Sequence, residues 1–224
     1  MVRTDRRLAV ELRKAGKSYN DISVTLGIPK STLVYWFKDE KWSSAIKSQL
    51  TYKAQARAKK RLQAMSLVNK QRWEMWRAGF RAQAEGEFNK LKNNNLFLAG
   101  LMLYWAEGDS NIKNPLRLAN VTPEIIKLYI KFLIEICCVE KSKIKINLII
   151  YPDLNEKICK RFWMKQTSLS EDNFYKTQII QGKHPTKRIN HGVCLVIVSS
   201  RGLKEKVQCW IQLTSQRMLN AGVI

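Results

Sequence analysis

The residues of this chain that could do chemistry gather in one stretch. Leu98 to Ser110 reads LAGLMLYWAEGDS, an apolar run that ends in Glu107, Gly108 and Asp109. Elsewhere the familiar catalytic constellations are missing. There is no G-x-x-x-x-G-K-[ST] phosphate loop, no G-x-G-x-x-G and no H-E-x-x-H. The two histidines, His184 and His191, stand in no recognisable triad setting, so nucleophilic hydrolysis has no support. Five cysteines (137, 138, 159, 194 and 209) form no C-x-x-C pair and lack zinc-site spacing with the histidines. They read as buried thiols in a reducing compartment.

The segment LAGLMLYWAEGDS resembles the LAGLIDADG motif of homing endonucleases. In that family two such helices pack together, and the terminal acid of each binds a divalent metal at the scissile phosphate. The resemblance implies a LAGLIDADG-like α+β domain over residues 96–224, with Glu107 as the catalytic metal ligand and Asp109 as a second candidate ligand. It implies Mg²⁺ or another divalent cation as cofactor if the protein cuts, and none otherwise. A carboxylate that holds Mg²⁺ can orient a water and stabilise the leaving oxygen of a phosphodiester. Family nucleases also use a basic residue near the cleavage centre, for which Lys145, Lys176 and Lys187 are the candidates. On a helical reading Ala99, Gly100, Leu103 and Ala106 share the face leading toward Glu107 and offer a close helix–helix contact. No second apolar helix ends in acid-Gly, so the single motif implies a homodimer with one Glu107 from each subunit at the two-fold axis.

These side chains need elements to position them. Around the motif, helix and strand alternate: Leu96–Glu107 reads as a buried helix, Leu116–Val121 as a strand and Pro123–Cys138 as an amphipathic helix. Lys143–Tyr151 (KIKINLIIY) is the clearest strand, and Asn155–Gln166 is another helix. Phe174–Ile180 and Gly192–Ser199 read as strands bracketing a basic loop that contains Lys187 and Arg188. Leu203–Leu219 closes the chain as a helix. The fold class is α+β with a mainly antiparallel sheet.

The N-terminal stretch is all helical. Arg6–Ala15 carries Leu8, Ala9 and Leu12 on one face and ends at Gly16. Ser18 starts a second helix with a capping-box pattern to Asp21, and that helix buries Ile22 and Leu26. Gly27 supplies a tight turn, Ile28 plugs the core, and Pro29 opens a third helix whose Leu33 and Trp36 face inward. SYNDISVTLGIPKSTLVYWFKD resembles the helix-turn-helix of transposases, resolvases and small bacterial regulators. That resemblance implies base-reading roles for Lys30, Ser31, Thr32 and Tyr35, near the start of the recognition helix. Lys38 extends the same candidate surface.

Charge names the partner class. Forty Lys and Arg face eighteen Asp and Glu in 224 residues, a net charge of +22, while 45% apolar composition is enough to fill a core. The default partner of such a protein is a polyanion, because neutralised phosphates release counterions. Residues 53–92 are the most basic stretch, eleven cations against three acids in good helix formers. Ala54, Ala58, Leu62, Met65, Val68 and Trp73 run through it as an approximate apolar stripe, and Lys59, Lys60 and Arg61 are candidate phosphate contacts. The longest apolar run, Leu96–Ala106, is too short for the roughly 20 residues a membrane helix needs. The N-terminal MVRTDRRLAVELRK fits no signal peptide. No aromatic-rich sheet motif of the RNA-recognition type is present.

The expectation is therefore a site-specific double-stranded DNA-binding protein in three parts. A helix-turn-helix domain (1–45) leads through a basic connecting helix (46–95) to the LAGLIDADG-like domain (96–224). The leading activity is homing-type, Mg²⁺-dependent DNA cleavage by a homodimer. The alternative is a non-catalytic transcriptional regulator of the same architecture. Either belongs in the cytoplasm of a prokaryote, at the nucleoid, or in another reducing, DNA-containing compartment, with no membrane partner.

Overall fold

A computed structural model describes residues 5–181 and 189–220. The chain divides into two compact units, Met1–Trp73 and Glu74–Ile224.

The first unit holds α1 (Arg6–Lys14), α2 (Tyr19–Leu26), α3 (Lys30–Phe37) and the first part of α4 (Lys41–Leu91). Ser18 caps α2 as its sequence demands: its Oγ accepts from the Asp21 amide at 3.2 Å, while the Ser18 amide donates to the Asp21 carboxylate at 3.0 Å. The Ser18 hydroxyl also donates to that carboxylate at 2.8 Å, and this bond, followed by the one from the Ser18 amide, holds the Asp21 carboxyl below its ordinary pKa. Gly27 ends α2 in the left-handed region (φ 65°), and three residues, Gly27 to Pro29, connect it to α3. The core is small: Ala9, Ile22, Ile28, Leu33 and Phe37, with Tyr19, Trp36 and Trp42 packed around them.

Two details depart from the sequence reading. Leu8 is 53% exposed, and the buried place on α1 goes instead to Arg13, which is 1% exposed. The Arg13 guanidinium lies 4.3 Å over the Tyr19 ring and donates to the Ser43 hydroxyl, the Ser43 carbonyl and the Lys17 carbonyl at 3.1, 2.9 and 2.8 Å. A planar fork with several donors satisfies those groups at once, which a leucine cannot do. The long helix also begins earlier than expected, at Lys41, because Trp42 and Ser43 are recruited to this core.

The second unit contains the end of α4, then α5 (Asn95–Glu107), β1 (Leu116–Asn120), α6 (Pro123–Glu135), β2 (Ile144–Ile150), α7 (Glu156–Thr167), β3 (Gln178–Ile179), β4 (Val193–Val198) and α8 (Arg201–Asn220). The class is α+β. The sheet order is β1-β4-β2-β3, antiparallel except for the β2–β3 pair. β4 lies between β1 and β2, with Val198 opposite both Leu116 and Ile144.

Period-two alternation divides the strands cleanly. Leu116, Leu118, Ile144, Ile146, Leu148, Cys194, Val196 and Val198 join one buried cluster with residues of α4 to α8. Arg117, Ala119, Lys145, Asn147, Leu195 and Ile197 occupy the other, half-open face. The strand expected over 174–180 shrinks to Gln178–Ile179, with one isolated bridge from Phe174 to Ile146. That edge has no buried face to extend it; Gln178 to Ile180 are all exposed. Among the described residues no helix is long and apolar enough to cross a membrane.

Candidate nucleic-acid interface and acidic loop

Helix α3 has two unlike sides. Leu33 and Phe37 are buried, while Lys30, Ser31, Val34, Tyr35 and Lys38 are exposed, a spacing of i, i+1, i+4, i+5 and i+8 that makes one continuous face. Tyr35 is 71% exposed and offers its ring and hydroxyl on this face. The Lys38 ammonium sits 5.6 Å from the Tyr35 ring centre and 3.9 Å from Asp39. Thr32 is half-buried beside this face. No side chain caps the first turn of α3 and no acid stands there, so nothing in that turn repels an anion. Lys59, Lys60 and Arg61 are exposed on α4.

In the second unit Lys145 projects from β2 on the half-open face of the sheet and donates to the Asp172 carbonyl at 3.0 Å. Lys176 is exposed next to β3. Lys187 and Arg188 lie outside the described residues. Sequence reasoning thus named residues from both units; the α3 set shares one surface, and Lys145 and Lys176 belong to another.

The acidic end of α5 separates its two carboxylates. Glu107 is the last residue of the helix, exposed, and makes no side-chain hydrogen bond or ion pair among the described residues. Asp109 is engaged on both oxygens. Its Oδ1 accepts from the Asn111 amide at 2.8 Å; its Oδ2 accepts from Asn114 Nδ2 at 2.8 Å, Arg117 Nε at 2.6 Å and Arg117 Nη2 at 2.5 Å. Partial burial alone would raise its pKa. The hydrogen bonds from Asn111, Asn114 and Arg117, and the Arg117 charge, outweigh that and hold the carboxyl below its ordinary value. The buried Tyr104 hydroxyl donates to the Asp109 carbonyl at 2.8 Å, and burial, followed by the Asp109 charge, pushes that phenol up.

A second cation closes the same loop from the far side. Lys204 of α8 is 1% exposed, and its ammonium donates to the carbonyls of Asn111, Asn114 and Pro115 at 2.6, 3.1 and 3.4 Å. Burial lowers its pKa, against the pull of Asp109. Gln208 adds a hydrogen bond to the Ser110 carbonyl at 3.2 Å. The loop's polar groups are thus tied to one another and to α8 by hydrogen bonds.

These residues do not fit a divalent cation on one chain. Asp109 has its oxygens committed to four donors, Glu107 stands by itself, and no cluster of three His, Cys, Asp or Glu exists among the described residues. The proposed contact face of α5 also divides. Gly100 is buried, and a Cβ there would fall 2.2 Å from Phe132 Cγ, so its close helix contact is made with α6 of the same chain. Ala99 and Leu103 are half-buried, and Ala106 is exposed.

Sequence reasoning missed Arg13, Asn114, Arg117 and Lys204. The loop carried a readable signal, since Asp109-x-Asn111 and Asn111-x-Lys113 are Asx turns followed by a proline. Lys204 had none, because its partners are backbone carbonyls nearly a hundred residues away. Comparison of the chain with protein-family models, with curated proteins and with solved structures finds no match.

Proposed function

We propose that this protein is a site-specific double-stranded DNA-binding protein whose first unit is a helix-turn-helix and whose α3 enters the major groove. The observation that carries the reading is the exposed face Lys30, Ser31, Tyr35 and Lys38, turned away from the side on which Leu33 and Phe37 are buried. A lysine donates to guanine edges or phosphates, and hydroxyls bond bases and backbone oxygens. The unit that presents this face holds seventeen Lys and Arg against five Asp and Glu. That charge supplies affinity and a steep salt dependence.

Of the two activities compatible with this binding, regulation without cutting has the better support. One chain offers a single uncommitted carboxylate at the end of α5, and Asp109 serves the loop. The endonuclease reading rests on the resemblance of LAGLMLYWAEGDS and on Glu107 being open; it requires two chains to bring two Glu107 together.

Selection from a randomised duplex library tests the proposal. A defined sequence motif is expected, with Lys30→Ala or Tyr35→Ala weakening it roughly ten- to hundredfold while leaving non-specific binding nearly intact. Recovery of no motif at any salt concentration would remove the reading. The selected duplex incubated with Mg²⁺ should remain whole. Cuts that Glu107→Gln abolishes, with binding retained, would replace the regulator with the nuclease.

A further inference from the structure

The chain has five cysteines, and the fold of the second unit places them in two ways. Cys159, Cys194 and Cys209 are buried, as the sequence suggests. Cys137 and Cys138 depart from that expectation. They are adjacent, half-buried and exposed respectively, just past the end of α6. Both line one cavity of about 270 Å³, where Phe80, Val139, Val198 and Leu203 supply an apolar wall.

The backbone around the pair is fixed. The Cys137 amide donates to the Phe132 carbonyl at 3.1 Å, and the Val139 amide to the Leu133 carbonyl at 2.9 Å. Between them Cys138 takes a left-handed conformation (φ 53°), where a helix end more often carries glycine. Two Cα atoms joined by one peptide lie about 3.8 Å apart, below the roughly 4.4–6.8 Å of ordinary disulfides. A direct S–S bond here is therefore strained. One atom inserted between the sulfurs relieves that strain.

The charges that line this cavity already have partners. Lys143 donates to Glu140 at 3.1 Å, and Lys206 to Glu87 at 2.7 Å. Among the described residues of the lining, no unpaired cation is left to hold an anion. Burial pushes the Cys137 thiol up, against the pull of the Lys206 charge. That sulfur resists becoming the thiolate that a divalent ion such as Zn²⁺ requires. A ligand suited to this place is uncharged, seeks sulfur and bridges two neutral thiols.

We propose that Cys137 and Cys138 chelate a trivalent arsenical that bears an apolar group. In the step, both S–H bonds and the As=O bond of R–As=O give way to two As–S bonds. The oxygen leaves as water with the two thiol protons. Arsenic stays trivalent, so no oxidant or reductant enters. The product is uncharged and suits a cavity with an apolar wall. Its second As–S bond forms within one molecule, at the high effective concentration that sets an adjacent pair apart from any single thiol. The site stands independently of the DNA-binding reading above.

Phenylarsine oxide added to the full, reduced chain tests it. The intact mass should show a single phenylarsenic group per chain, and peptide mapping should place it on Cys137 and Cys138. Cys138→Ser, a change at an exposed position, should weaken retention roughly a hundredfold or more, whereas Cys209→Ala should leave it unchanged. Because the ligand meets a folded cavity, it should also raise the denaturant midpoint of the second unit. A midpoint that does not move overturns the proposal, since the unfolded chain would then hold the arsenical equally well. Full retention by Cys138→Ser, or arsenic mapped to the buried cysteines, overturns it too. Displacement of the arsenical by an equal concentration of Cd²⁺ would assign the pair to a divalent ion instead. A Cys137–Cys138 disulfide that forms in air and blocks capture would make it a redox pair, and either result removes the proposal.

Discussion

Each unit is locked by one buried cation, and the two cations are spent differently. Arg13 sits at a core of only five buried apolar side chains and ties α1 to the start of α4 through the hydroxyl and carbonyl of Ser43. Lys204 lies beneath a far larger core and draws three carbonyls of one loop around a point charge. Among the described residues neither has a carboxylate bonded to it. A small unit with little apolar surface depends on a fork that bridges two elements. A large one has its elements already packed and uses its cation to shape a turn.

Conservative exchange should break both locks, for opposite reasons. Lys204→Met leaves three carbonyls without a donor and should cost about 3 kcal/mol or more, read as a lower midpoint in denaturant for the second unit's transition. Lys204→Arg should fare little better, since a guanidinium does not fit a three-carbonyl cage with no room to spare. Arg13→Lys loses the fork and should cost about 2 kcal/mol, with the loss confined to the first unit. If either conservative variant unfolds with the wild type, the distinction between fork and point charge is wrong.

Gly100→Ala sharpens the comparison within the larger core. Its new Cβ would overlap the ring of Phe132, a contact with nowhere to go between two packed helices. A loss of about 1–3 kcal/mol is expected, and Phe132→Leu in the same chain should recover part of it.

Most of the architecture was legible in the sequence, and the reason is periodicity. Helices over 123–135, 156–167 and 201–220 and strands over 116–120, 144–150 and 193–198 sit within a few residues of where their spacing places them. The Ser18 box and Gly27 carried their own turn chemistry. What stayed hidden was partnership across the chain. Nothing near Lys204 announces Asn111 or Pro115, and nothing in RRLAVELRK says that Arg13 rather than Leu8 is inside. The acidic site was legible as a pair of acids and illegible as two different acids. Only the fold shows that Arg117, on the neighbouring strand, binds Asp109 and leaves Glu107 open.

Smaller effects refine that last contrast. Asp109→Asn should cost about 1–2 kcal/mol through its charge-assisted hydrogen bonds, whereas Glu107→Gln should stay within about 0.5 kcal/mol. The pH dependence follows from the depressed pKa of Asp109. Its contribution is complete above the unfolded carboxylate value of about 3.9 and fades as pH falls through the lower folded value. Asp109→Asn should therefore flatten the acid limb of a stability profile, and Glu107→Gln should not. Ser18→Ala should cost the first unit about 1 kcal/mol, the worth of a helix cap.

The position of β4 has a consequence for how the second unit is made. It is the strand that joins β1 to β2, and it is the last of the four along the chain. Until Val193 has been synthesised, β1 has no neighbouring strand, only the bridge from Gly108 to Leu118, and the growing body has no sheet centre. Both faces of β4 are apolar, Val193, Leu195 and Ile197 on one side and Cys194, Val196 and Val198 on the other, so its own pattern does not fix its register. Arg117 and Lys145 fix which face β1 and β2 present, because turning either strand over would put a cation under the helices, and β4 is paired against both. Folding of this half is thus late and long-range, and a nascent chain stalled before β4 exposes two unfinished strand edges to its neighbours.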